Sequence, residues 1–252
     1  MHAIGGSPPI LPSRNERSFF FVPLGREPRR LQGVLALASF RARIDRVGFT
    51  GLAATIYLIR HAAHIHLDQR LSGRMAGVPL SEVGRAQAEA LGRFLATDRI
   101  DRVECSPLDR TRETAAAIAG VAGLPPPSLV DALVEIDMGE WTGATFDSLR
   151  GDADWDRWNT ERATARIPGG ETMAEAQARI VGHLRATAAD ADADEQVVAM
   201  VTHSDMIRAA VADVLGLPLD KLLRFDIGPA SVTRLVAGDW GARLMSLNEK
   251  GW

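Results

Sequence analysis

An arginine followed at once by a histidine, Arg60-His61, ends the short apolar run Thr55-Ile56-Tyr57-Leu58-Ile59. A guanidinium presents planar, paired donors that match phosphate oxygens, and an imidazole can act as a nucleophile or as an acid and base. A second apolar run, Val197 to Thr202, ends in His203, and Arg110 falls in the first turns of a helical stretch. The backbone dipoles of such a turn also favour an anion. Two cations and two imidazoles at one place suit chemistry on a phosphorylated molecule.

The elements that must bring these residues together follow from pattern. Both runs are apolar without polar alternation, the habit of strands buried on both faces of a parallel sheet, and ligands of open α/β sheets lie beyond the carboxyl ends of such strands. Ser81 is a suitable N-cap for a helix carrying Ala86, Ala90, Leu91, Phe94 and Leu95 through about Thr97. Arg102 to Cys105 reads as a second strand, and Ser106-Pro107 is expected to open a helix running to about Ala122. Ser128 to Leu133 reads as a strand leading into the acidic stretch Glu135 to Glu140. Residues 142–168 are polar, hold Trp155 and Trp158, and read as an inserted lid. A helix opened by Glu171 and reaching about Ala189 follows. The strand Gln196 to Thr202, a helix from Met206 to Leu215, and a closing strand pair, Ser231 to Val236 with Arg243 to Leu247, complete the chain. Strands alternating with helices predict one α/β domain, three layers deep (α/β/α), with a mostly parallel sheet and a small helical lid.

Residues 1–53 differ from this pattern. Five prolines interrupt them, and eight arginines against Glu16, Glu27 and Asp45 give them a charge of +5, within a total of −3 for the 252 residues. They read as an extension, disordered or loosely packed, or as translation from a start placed too far upstream. The domain proper is expected over 54–252. Nothing approaches the ~20 apolar residues of a membrane span. The small net charge offers no sign of a nucleic-acid or membrane surface, and the single cysteine, Cys105, fits a reducing, cytoplasmic setting. Oligomeric state is not readable. Only Lys221 and Lys250 are lysines, so nearly every positive charge is a guanidinium.

Six stretches in order make a resemblance specific: Leu58 to His61, Gly77 to Ala88, Ser106 to Ala115, Glu135 to Gly143, Pro168 to Glu171 and Val201 to Ser204. The chain resembles the histidine phosphatase superfamily, in its phosphoglycerate-mutase-like branch. The resemblance implies that His61 is a nucleophile that becomes phosphorylated. Arg60, Arg110 and His203 would hold the transferring phosphoryl group, with His203 counted among the catalytic residues too, and Glu135 would protonate the leaving oxygen. Neighbouring carboxylates such as Asp137 and Glu140, or burial, would keep Glu135 protonated. The implied activity is hydrolysis of a small phosphorylated metabolite through a phosphohistidine, with neither metal nor organic cofactor. The alternatives are a mutase-like phosphotransferase or a catalytically impaired phospholigand-binding protein.

The chain also departs from the family. Ala62 replaces a glycine, and its Cβ is expected to crowd a phosphate approaching the backbone. Ala63 and His64 stand where acidic and hydroxyl residues are usual, and a phosphate-binding asparagine expected near Leu67 is missing, so a donor is lost unless His64 or His66 replaces it. The spacing His64-x-His66-x-Asp68 matches some binuclear metal hydrolases, although the completing histidine is Gln69 and nearby arginines oppose a cation. Cys105 reads as packing, His183 as structural, and Trp155 with Trp158 as lid packing or as a contact for the leaving group.

Overall fold

The computed structural model describes residues 53–190 and 196–252. The expectation for residues 1–53 lies outside them except at Ala53. Six strands form one sheet in the order β3-β2-β4-β1-β5-β6. They are β1 (Ala53–Arg60), β2 (Arg102–Cys105), β3 (Ser128–Leu129), β4 (Val197–Thr202), β5 (Val232–Gly238) and β6 (Gly241–Glu249). The pairs β1/β4, β2/β4 and β2/β3 are parallel, and the closing hairpin β5–β6 adds the antiparallel part.

The central strands feed two separate apolar clusters. Ile56 and Leu58 of β1, with Val198 and Met200 of β4, enter one. Tyr57 and Ile59, with Val197, Ala199 and Val201, enter the other. Because successive strand side chains point to opposite faces, a strand apolar at every position must be covered on both sides. Helices α1 (Glu82–Leu95) and α2 (Asp109–Ala122) cover one face, and α4 (Met173–Ala189) with α5 (Ser204–Leu215) the other. The three-layer α/β/α architecture is as expected. The short helix α3 (Ala153–Thr160) carries the tryptophans of the insertion.

Several boundaries differ from the sequence reading, some for local reasons and some through distant partners. The side chain of Ser81 does cap α1, accepting from the Gly84 N–H. Helix α2, however, starts at Asp109 with an extended Leu108 at its cap, not at Ser106-Pro107. The residue before a proline is biased away from helical geometry, and the Ser106 hydroxyl is used elsewhere. The strand expected from Ser128 to Leu133 stops at Leu129, and Asp131–Leu133 turns as a 3-10 segment. There Arg179 takes the carbonyls of Ala132 (3.0 Å) and Val134 (2.7 Å). Helix α4 is opened by Thr172, which forms a capping box with Glu175, rather than by Glu171. Glu171 instead ties the loop before it to Arg74 (2.8 Å) and Arg179 (3.0 Å). His183 is structural as expected, its Nε2 lying 2.7 Å from Glu104 across the α4–β2 boundary.

Candidate active site

Register places the site. Arg60 pairs with Thr202 in the β1/β4 ladder, and the Ser106 N–H donates to the Val201 carbonyl at 3.0 Å. Three strand ends therefore finish level, and the next residues, His61, His203 and Ser106, stand side by side. Helix α2 brings Arg110 to the same edge, and the loop between the 3-10 segments brings Glu135. Arg60, His61, Arg110 and Glu135 line one cavity of about 300 Å³ together with His64, Ser204, Asp205, Trp155, Trp158 and Arg162.

Each side chain is held from behind. The Nδ1 of His61 lies 2.8 Å from the Ala62 carbonyl. As a carbonyl only accepts, Nδ1 carries the proton and Nε2 keeps its lone pair. Burial, then Arg110 and Arg60, push the His61 pKa well below its ordinary value, so the ring is neutral. Its centroid is 5.2 Å from that of His203, whose Nε2 lies 2.9 Å from the Ser106 hydroxyl. Nη2 of Arg110 lies 3.4 Å from the His203 Nδ1, and because a guanidinium only donates, Nδ1 accepts and the neutral ring carries its proton on Nε2, which donates to the Ser106 hydroxyl; Nδ1 is also the nitrogen nearer Glu135. Arg110 donates to the Gly73 carbonyl at 2.6 Å and Arg60 to the Ile227 carbonyl at 2.7 Å. Three further guanidinium nitrogens, Nε of Arg60 and Nε and Nη1 of Arg110, are buried without a partner. Buried charged donors left unpaired are costly, and an anion in this cavity would satisfy them.

Glu135 accepts from its own Ile136 N–H through Oε1 and lies 3.8 Å from His203 through Oε2. Burial, then the charge of Asp205, raise its pKa to about 7 against the opposing pull of Arg110. A carboxyl that keeps its proton near neutrality is suited to giving it away. The carboxylate responsible is Asp205, not Asp137 or Glu140: Asp137 lies 3.4 Å from Arg74 and accepts from the Gly139 N–H. Asp205 was not among the expected site residues. Burial raises its pKa, but Arg162 at 3.4 Å and Arg208 at 3.1 Å outweigh that and hold it ionised.

The sequence reading of Ala62 is corrected. Its side chain packs into the apolar cluster beneath α1 and α2, away from the cavity lining, and its N–H donates to Thr114. Of the two loop histidines, His64 reaches the cavity, its ring 5.2 Å from that of His61. His66 is not part of the lining. His64, His66 and Asp68 do not converge as ligands, and among the described residues no group of three or more His, Cys, Asp or Glu is placed to hold a metal ion. Cys105 is buried, and that burial pushes its thiol up to about 11, consistent with packing. Both tryptophans of α3 pack edge-on against Trp141 and also line the cavity, so lid packing and site contact fall to the same residues.

The residues missed from sequence share one property. Ser106, Asp205, Arg162 and Arg208 act through partners whose positions only the fold supplies. Ser106 opens the stretch Ser106 to Ala115, and Asp205 lies two residues after His203; those are the available signals.

Known proteins are similar to this chain along most of its described length. The chain is 32% identical over 183 residues to phosphoserine phosphatase 1 of Hydrogenobacter thermophilus, covering 70% of this chain and 83% of that protein. It is 31% identical over 184 residues to a probable phosphoglycerate mutase of Klebsiella pneumoniae, covering 71% and 83%. Among solved structures, a mycobacterial glucosyl-3-phosphoglycerate phosphatase superposes with a TM-score of 0.68 at 27% identity, over 79% of this chain and all of that one. The family model of the histidine phosphatase superfamily, branch 1, matches residues 56–250, and this chain belongs to that superfamily.

Proposed function

We propose that this protein is a phosphoester hydrolase that acts on a small phosphorylated metabolite through a phosphohistidine at His61. The observation that carries the reading is the set of three unpaired, buried guanidinium nitrogens on Arg60 and Arg110 beside an imidazole whose tautomer is already fixed for attack. In the first step the Nε2 lone pair of His61 forms a bond to phosphorus while the bond to the leaving oxygen breaks. Glu135 gives that oxygen its proton. In the second step water attacks phosphorus, the N–P bond breaks, and the Glu135 carboxylate takes the proton from the water. Charge spread over the three equatorial oxygens is met by Arg60, Arg110 and His203 and by the amino end of α5, without a metal.

The relatives named as phosphatases support hydrolysis. The probable mutase among them supports a second reading, in which the same residues return the phosphoryl group to substrate. Trapping the enzyme with radiolabelled substrate separates the two. Label that appears on His61 and is discharged to water supports hydrolysis. Label returned to the substrate pool supports phosphotransfer. An enzyme that binds phosphate but never labels is a binding protein, and the reading fails.

A further inference from the structure

His64 has no assigned part in the chemistry above, yet the fold fixes it tightly beside the nucleophile. The Ala63 carbonyl accepts from both the N–H and the hydroxyl of Ser81, at 3.0 and 3.1 Å, and the Ala63 N–H donates to Gln87 at 3.0 Å. An ideal Cβ on Gly84 would lie 1.8 Å from the Ala63 carbonyl oxygen, so α1 approaches this loop as only glycine permits. A bridge between His64 and Leu80 closes the clamp on the other side.

The ring itself is equally constrained. The His66 N–H donates to Nδ1 of His64 at 3.1 Å, which makes Nδ1 an acceptor and puts the proton of the neutral ring on Nε2. Burial, then Arg110 and Arg60, lower the His64 pKa to about 4, so the ring is neutral at ordinary pH. Nε2 has no hydrogen-bond partner among the described residues, and the ring lines the cavity. His64 therefore cannot serve as a general base, because its one lone pair is taken, nor as an efficient acid, because it is not charged. What remains is a neutral N–H donor on a ring that lines the cavity.

We propose that His64 is a catalytic residue whose Nε2–H donates a hydrogen bond to a non-bridging phosphoryl oxygen during transfer to and from His61. No proton is transferred in this role. His64 and His203 each stand 5.2 Å from His61, so the reacting phosphorus has an imidazole donor near it beyond the two guanidinium groups. The inference rests on the hydrolase reading but is tested separately from it.

The test uses His64→Ala, His64→Phe and His64→Gln in the full-length enzyme, with vanadate as a mimic of the five-coordinate phosphorus. Phe keeps an apolar ring without the donor, and Gln keeps an N–H at similar reach. Loss of one donor to developing charge costs on the order of 10²-fold, so the Ala and Phe variants should weaken vanadate inhibition and lower kcat/KM on nitrophenyl phosphate by that order. Gln should recover most of both. Wild-type values in His64→Phe would reduce the ring to packing, and equal damage in all three variants would replace donation by shape; either result overturns the proposal. Failure of the hydrolase reading is distinguishable, because it shows in the wild type as an enzyme that takes no label at His61.

Discussion

At the scale of single residues, the proposed chemistry separates a group that must be neutral to attack from one that must be neutral to donate. His61 is kept neutral by burial and two arginines, Glu135 by burial and Asp205. Replacing His61 by alanine should abolish phosphoester hydrolysis with the fold intact by circular dichroism, since the residue lies beyond a strand end. Glu135→Gln should cost an alkyl phosphate about 10²–10⁴-fold in kcat/KM, the range for general acid catalysis, and a nitrophenyl phosphate far less. Equal losses on both substrates would make Glu135 a positioning group, and a selective loss in Asp137→Asn or Glu140→Gln would move the acid there. The folded pKa of about 7 lies above the unfolded value. The acid form is therefore lost as pH rises through 7, and alkyl-phosphate turnover should fall on that limb. The same sign governs stability: the unfolded chain ionises this carboxyl from the ordinary value of 4.5 upward, so stability falls as pH rises from there through about 7, above which the fold holds a buried carboxylate. Glu135→Gln should thus raise Tm at pH 8–9 relative to the wild type, on the order of a few degrees, with the gain shrinking as pH falls toward about 4.

At the scale of elements, the site depends on strand register and on one close helix contact. Gly84→Ala places a methyl against the Ala63 carbonyl. It should destabilise the protein by about 1–3 kcal/mol, as overpacking does, and lower activity as well because the same loop carries His61 and His64. Denaturant midpoints and kcat/KM measured together test this. Much of this level was legible in the residues themselves. Apolar runs without alternation marked β1 and β4 as central strands, and the polar residue ending each run marked the site edge. Ser81 announced its helix correctly. What could not be read were long-range partners. Arg110 rests on Gly73, Arg162 reaches Asp205, and Arg179 gathers carbonyls from a turn more than forty residues earlier. Local pattern carries no information about such pairs, and they decide where β3 stops and what charge Glu135 meets. Gly84 carried a readable signal, because glycine within a helix is costly unless something must come close.

At the scale of the whole molecule, the described fold contains every residue assigned to the chemistry. A protein beginning at Gly51 should therefore keep its turnover; a folded but inactive product would show that residues 1–50 complete the cavity. Activity should also persist in excess EDTA, since in the proposed chemistry guanidinium groups and imidazoles meet the phosphate charge; loss on chelation with recovery on zinc or manganese would restore the His64-His66-Asp68 metal reading. The cations lining the cavity are all arginines, while both lysines of the chain, Lys221 and Lys250, lie outside its lining. Amine-directed reagents can consequently tether or dye the protein without touching a cation of the cavity lining. Dicarbonyl reagents, which modify guanidinium groups, should inactivate it, and inorganic phosphate should protect.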